Sequence, residues 1–91
     1  MEKPTIALIL PCFNEEKIIE YSINIIDKYF IDLKKREVIN ADSFVAIVDD
    51  GSFDNSWNKI LNLSIKNPLK AIRFSRNFGH QYAVYAGIKE F

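Results

Sequence analysis

Apolar and polar residues alternate along the chain in three rounds, each with a short apolar run, a polar turn and an amphipathic stretch. The apolar runs over 5–10, 44–48 and 69–74 predict three strands, because each is short and is bounded by turn residues. Apolar residues at helical spacing predict helices over about 14–35, 54–66 and 81–91. This alternation is typical of an α/β fold with a parallel sheet and right-handed crossovers.

The residues at the ends of the predicted helices have recognisable capping chemistry. Asn14 is predicted to cap the first helix, with Glu15 beside it at the positive end of the helix dipole. Asp54 is predicted to cap the second helix, which should end before Asn67 and Pro68.

In such a sheet, all three strand-to-helix turns lie at the edge formed by the carboxyl ends of the strands, which is the usual ligand-binding edge. The polar residues that this arrangement brings together are Asn14 and Glu15, Asp49 and Asp50, and Arg76 and His80.

Composition narrows the possible functions of the 91 residues. Twelve basic and twelve acidic residues leave no net charge, which gives no electrostatic argument for a nucleic-acid partner. The single Cys12 excludes an intrachain disulfide and a multi-cysteine metal site. No apolar run approaches the ~18 residues that span a bilayer, so we expect a cytoplasmic segment.

The sequence Val48-Asp49-Asp50-Gly51-Ser52 places two carboxylates where the second predicted strand ends. A carboxylate accepts hydrogen bonds at neutral pH, and uracil and guanine carry a ring N–H donor that neutral adenine and cytosine lack. The acids therefore favour a uridine or guanosine ligand, and Arg76 could offset the charge of a diphosphate.

Two other nucleotide-binding motifs are missing. The first turn, over 11–16, contains no glycine and so lacks the G-x-G-x-x-G pattern of a dinucleotide fold. No P-loop pattern occurs, and a single histidine cannot form a zinc site.

Three blocks together resemble family 2 glycosyltransferases of the GT-A fold: 11–15 (PCFNE), 48–54 (VDDGSFD) and 75–88 (SRNFGHQYAVYAGI). The third block is similar to the branch that transfers glucose or mannose to polyprenyl phosphates, the bactoprenol glucosyl and dolichol-phosphate mannosyl transferases. The resemblance implies a Rossmann-like, three-layer half-domain in βαβαβα order, the N-terminal part of a GT-A fold.

The resemblance also implies roles for individual residues. Residues that would bind the nucleotide sugar are Pro11, Phe13, Glu15, Val48, Asp50 and Arg76. In that scheme the ring of Phe13 lies against the base and Asp50 accepts from the base N–H. Residues that would support the turns are Asn14, Asp49, Gly51 and Ser52.

The D-x-D-like metal motif and the acidic base of the family lie on later strands, and neither is found here. We therefore expect 1–91 to be the N-terminal nucleotide-binding part of a catalytic domain, with no catalytic or metal-binding residue and no turnover alone. Mg²⁺ or Mn²⁺ would act in the full-length enzyme, which could associate with a membrane through other segments. An exposed strand edge could also promote self-association.

The expected function is that of an inverting hexosyltransferase that moves a sugar from a UDP-sugar, or another nucleoside diphosphate sugar, to a polyprenyl phosphate. One alternative is a non-catalytic nucleotide-binding or interaction module. Another is a receiver-like domain that uses the acid pair for Mg²⁺, although it would need further residues at other strand ends. The acid pair could also be a plain turn, since Asp, Gly and Ser are common turn residues.

Overall fold

The computed structural model describes residues 2–79 and Gly87. Its elements are β1 (Ala7–Cys12), α1 (Ile19–Lys35), β2 (Phe44–Asp49), α2 (Ser56–Leu61) and β3 (Leu69–Arg73). The predicted alternation of strands and helices is confirmed. The predicted third helix and His80 lie outside the described residues, apart from Gly87, which is helical.

The three strands form one parallel sheet in the order β1-β2-β3. Cys12, Asp49 and Arg73 stand opposite one another across the sheet, each as the last residue of its strand. The three strands therefore end together, and the turns that follow them share one edge, as the alternation predicts.

Both described helices pack on the same face of the sheet. Two right-handed crossovers that run in the same direction place their helices on one side. The buried cluster there includes Ile23 and Phe30 of α1, Ile60 of α2 and Ile47 of β2. On the other face, the backbone of Gly87 lies close to Ile9 and Val48.

The predicted bounds of the first strand were wrong. β1 starts and ends two residues later than expected, and Pro11 lies inside it, opposite Val48. Proline lacks a backbone N–H, so it is tolerated in a strand only where that N–H would not have to donate a hydrogen bond to a neighbouring strand. In the described sheet β1 is an edge strand, which meets that condition.

The second helix is shorter than predicted, since α2 ends at Leu61 and Ile65 lies beyond it. The chain after α2 is held in a loop by the buried carboxylate of Asp27 on α1. That carboxylate accepts hydrogen bonds from the backbone N–H of Lys66 at 2.9 Å and of Asn67 at 3.0 Å. Asn67 also donates its side-chain amide to Asp27 at 2.6 Å.

No helix within residues 2–79 is long and apolar enough to cross a membrane.

Candidate functional site

A cleft of about 310 Å³ opens at the edge where the strands end. Residues from all three turns form its walls: Pro11, Cys12, Phe13, Glu15, Asp50, Asn77 and Gly79. Four of the predicted nucleotide-binding residues therefore meet here, namely Pro11, Phe13, Glu15 and Asp50.

Asp50 joins the second turn to the third. Its side chain is only 3% exposed, and its carboxylate accepts hydrogen bonds from the backbone N–H of Phe78 at 2.8 Å and of Gly79 at 2.9 Å. The amide of Asn77 donates to the same carboxylate at 3.1 Å. A carboxylate has about four acceptor positions, so about one is left for a ligand.

Asp49 bonds to a different set of groups. It is fully buried and accepts hydrogen bonds from the hydroxyl of Ser52 and from the Ser52 N–H at 3.3 Å. Its Oδ2 also lies 3.5 Å from Nε of Arg73, whose guanidinium is 5.8 Å from the centre of the Trp57 ring. Asp49 thus holds the turn on the helix-covered side of the sheet.

Gly51 allows the second and third turns to approach closely. Its φ of +70° lies in the left-handed region, which favours glycine. A Cβ at this position would collide with the backbone of Arg76 and lie 2.5 Å from the backbone nitrogen of Asn77. Any side chain here would push the third turn away from the second.

The prediction that Asn14 caps α1 was wrong. Asn14 has a φ of +51°, a conformation that asparagine tolerates better than most residues, and α1 begins only at Ile19. Its side-chain oxygen accepts from the N–H of Phe53 at 2.8 Å, and its own N–H donates to Ser52 Oγ at 2.9 Å. The amide side chain therefore fastens the first turn to the second.

Two further bonds continue this attachment. The N–H of Glu15 donates to Ser56 Oγ at 2.8 Å, and the N–H of Glu16 donates to Asp54 at 3.3 Å. The N-cap residue of α2 is Asn55 and not the predicted Asp54. The carboxylate of Asp54 nevertheless accepts hydrogen bonds from the backbone N–H and the hydroxyl of Ser56. Burial alone would raise the pKa of Asp54, but these hydrogen bonds outweigh it and lower the pKa.

One aromatic ring is open to solvent at the cleft. Phe13 is partly exposed and makes an edge-to-face contact with the exposed Phe53, with ring centres 5.9 Å apart. The neighbouring Cys12 is buried, and this burial, with smaller contributions from the charges of Glu15 and Asp49, raises the pKa of its thiol to about 12. The wall therefore offers a ring for stacking and an unreactive thiol.

Two predicted binding residues do not line the cleft. Val48 is fully buried, and its side chain lies near Gly87 on the face of the sheet opposite α1 and α2. The guanidinium of Arg76 lies over the ring of Phe78, 4.6 Å from its centre. Their predicted contacts with a nucleotide remain predictions.

Three residues of this region were not assigned roles from the sequence: Asn77, Gly79 and Arg73. The first two belong to the third block, and their position after a strand was the available signal. Arg73 could have been found by aligning the strand ends, which places a basic residue opposite Asp49.

Within residues 2–79, no group of three or more His, Cys, Asp or Glu side chains could hold a metal ion. The cleft itself presents carboxylate acceptors, one aromatic ring and backbone groups. These features suit the recognition of a planar ligand with N–H donors better than nucleophilic chemistry.

The model of the family described as "Glycosyl transferase family 2" matches residues 7–91. The chain belongs to this family. The match includes all three turns that surround the cleft, so the resemblance seen in the sequence is confirmed.

Several curated proteins are similar to the chain. An uncharacterised glycosyltransferase of Bacillus subtilis is 34% identical over 94% of this chain. A dolichol-phosphate mannosyltransferase of Pyrococcus furiosus is 33% identical over 93%, and a prophage bactoprenol glucosyl transferase homologue of Escherichia coli is 34% identical over 91%. The chain spans 26%, 22% and 26% of the lengths of these three relatives, respectively.

Proposed function

We propose that this chain supplies the nucleotide-binding part of a transferase that moves a sugar from a UDP-sugar, or a related nucleoside diphosphate sugar, to a polyprenyl phosphate. Membership of family 2 supports the transfer of a sugar. The names of two relatives, a dolichol-phosphate mannosyltransferase and a bactoprenol glucosyl transferase homologue, support a lipid phosphate as the acceptor.

The observation that carries the proposal is the meeting of Phe13, Glu15 and Asp50 in one cleft. Phe13 offers a ring face on which a base can stack. Asp50 retains acceptor capacity for a ring N–H, as in uracil or guanine. The cleft carries two carboxylate residues, which would repel the negative charge of a diphosphate. We therefore place the nucleoside in the cleft and the diphosphate outside it.

The proposed reaction is a single displacement with inversion at the anomeric carbon. The acceptor phosphate is already anionic at neutral pH, so this attack needs no base to deprotonate it. A divalent cation would shield the leaving diphosphate in the complete enzyme. Residues 2–79 contain no cluster of three ligands for such a cation, and we assign none of them to it.

One observation favours a different function, an interaction module that binds no nucleotide. Most of the acceptor capacity of Asp50 is used by Asn77, Phe78 and Gly79, as expected if its role were only to join two turns. An Asp50 variant would lose both this connection and any ligand contact, so it cannot separate the two functions.

The two exposed phenylalanines provide a sharper test. Phe13 lines the cleft. Phe53 contacts the ring of Phe13 but is not part of the cleft wall. We expect calorimetric titration of the chain to show UDP or GDP binding at least tenfold tighter than ADP binding. Phe13→Ala should weaken this binding by about tenfold, because base stacking is lost, and Phe53→Ala should change it little.

Equal affinities for UDP, GDP and ADP would contradict base recognition by the acids. The absence of binding by a chain whose circular dichroism shows it folded would overturn the proposal and favour the interaction module.

A further inference from the structure

The helix α1 has a second apolar face that points to solvent. Tyr21, Ile25 and Tyr29 of α1 have exposed fractions of 70%, 36% and 67%, and Ile18, the N-cap residue just before the helix, is 51% exposed. The core-facing side of the same helix carries Ile19, Ile23 and Phe30, all of which are buried. An amphipathic helix on a soluble domain normally has only one such stripe, so the outer one requires an explanation.

The four exposed residues form a continuous stripe. They follow one another at spacings of three, four and four residues, which places them on one side of a helix with 3.6 residues per turn. We call this surface the outer stripe. It begins beside the cleft, since Ile18 lines a pocket together with Asn14 and Glu15 of the first turn, and Glu15 also lines the cleft.

A row of lysines runs beside the outer stripe. Lys28 and Lys35 of α1 are exposed, and the helical spacing places them next to the stripe on the side toward α2. Lys17, which is also exposed, lies in the turn just before the helix. Asp32 lines a pocket with Ile25 and Tyr29 of the stripe, and its charge is offset by an ion pair with Arg36 at 3.0 Å. At the other end of the stripe, Glu15, Glu16 and Asp54 line a pocket with Ile18. Glu20 is the other exposed acid of α1, and it lines the groove between α1 and α2.

We propose that the outer stripe and its lysine row bind the surface of a membrane that contains anionic lipids. Tyrosine and isoleucine side chains can enter the boundary between headgroups and acyl chains. Lysines beside them can contact lipid phosphates, and each basic residue near an anionic surface strengthens binding by about fivefold.

A second copy of the chain fits this surface less well. A two-fold contact through the stripe would bring the same patch of each copy together, including both lysine rows. Their like charges would oppose that contact, whereas an anionic lipid surface neutralises them.

Membrane contact at this position would also suit the proposed acceptor. The stripe starts at the edge that holds the cleft, so a chain lying on α1 keeps that edge near the lipid surface. Only this consequence rests on the proposed function. The membrane proposal stands or fails by lipid binding, and the nucleotide proposal by titration in the absence of lipid.

Sedimentation with lipid vesicles at low salt tests the proposal. We expect the chain to bind vesicles of phosphatidylcholine and phosphatidylglycerol in equal parts, and to bind pure phosphatidylcholine at least tenfold more weakly. The double variant Lys28→Gln, Lys35→Gln should lose about 25-fold in partitioning. Its matched control, Lys3→Gln, Lys70→Gln, removes the same charge from residues that are not part of α1 and should lose at most a few-fold.

The apolar contribution has its own matched pair. Tyr21→Ser, Tyr29→Ser should reduce partitioning at least tenfold, and Phe53→Ser, Leu61→Ser, which removes two other exposed apolar side chains, should not. All four positions are exposed, so we expect the variants to keep the melting temperature of the parent chain within a few degrees.

Equal losses of vesicle partitioning in the test and control variants would overturn the proposal. Equal binding to both types of vesicle, or no binding to either type, would also overturn it. The chain could instead fail to bind vesicles and self-associate, with Tyr21→Ser, Tyr29→Ser abolishing the self-association. That result would assign the stripe to a second copy of the chain.

Discussion

Asp49 and Asp50 are neighbours in the chain and yet bond to different partners. Successive side chains of a strand point to opposite faces of the sheet, and the end of β2 keeps this alternation. Asp49 therefore bonds to Ser52 and Arg73, whereas Asp50 bonds to the third turn. The sequence predicted that one aspartate would brace the turn. It could not show that the other is also bonded within the chain, because those donors come from 27 to 29 residues away.

Cys12 gives a prediction at the scale of a single residue. With a thiol pKa of about 12, the thiolate fraction at pH 8 is on the order of 1 in 10,000, against roughly a quarter for an unperturbed cysteine. We expect alkylation of the native chain by iodoacetamide at pH 8 to be at least 100-fold slower than alkylation in denaturant. The rate can be followed by mass spectrometry.

An exposed cysteine in the same fold is the matched control. The double variant Cys12→Ser, Ser64→Cys moves the thiol to an exposed position and should react at nearly the unfolded rate. Rapid alkylation of native Cys12 would show that the thiol is not buried as described.

At the scale of elements, the pattern predicted which segments are strands and helices but misplaced several ends. Asn14 is a good capping residue, yet its side-chain oxygen is taken by the N–H of Phe53, 39 residues away. α2 ends early because the chain after it is bound by Asp27. Both errors have one cause. Capping rules consider neighbours in sequence, and these side chains bond across elements.

The attachment of the α2–β3 loop to α1 predicts a dependence of stability on pH. Burial alone would raise the pKa of Asp27, but hydrogen bonds from Lys66 and Asn67 outweigh it and lower the pKa. The resulting stabilisation is complete above the unfolded pKa of about 3.9 and is lost as the pH falls through the lower folded value. We therefore expect the free energy of unfolding to decrease from about pH 4 downward.

Asp27→Asn should lower the free energy of unfolding by about 2 kcal/mol at pH 7, because it removes a charged acceptor from buried donors. The difference from the parent chain should shrink below about pH 4, where the parent carboxyl becomes neutral first in the unfolded chain and then, at lower pH, in the folded chain. Urea titrations at several pH values measure both effects, with the exposed Asp42→Asn as control. A difference that stays constant from pH 7 to pH 2 would be inconsistent with this account.

At the scale of the whole molecule, alternation alone predicted the parallel sheet and the edge that the three turns share. It could not separate the two apolar faces of α1. Ile19 and Ile23 pack in the core and Tyr21 and Ile25 face solvent, but all four follow helical spacing. Periodicity records which residues lie on a common side of a helix. Which side the sheet covers depends on the path of the chain between β1 and β2.

The face of the sheet opposite α1 yields the last prediction. A Cβ on Gly87 would collide with Cγ2 of Ile9 and lie 3.3 Å from Cγ2 of Val48. Gly87→Ala gains about 1 kcal/mol from helix propensity but loses about 1–3 kcal/mol from overpacking, so it should leave stability unchanged or lower it. An Ile9→Ala background removes the colliding atom and leaves only the contact with Val48, so Gly87→Ala should then stabilise the chain by up to about 1 kcal/mol. Urea unfolding of the four proteins gives the coupling energy, which we expect to be about 1–3 kcal/mol. A coupling near zero would mean that Gly87 does not lie against Ile9, and the packing of this face would have to be revised.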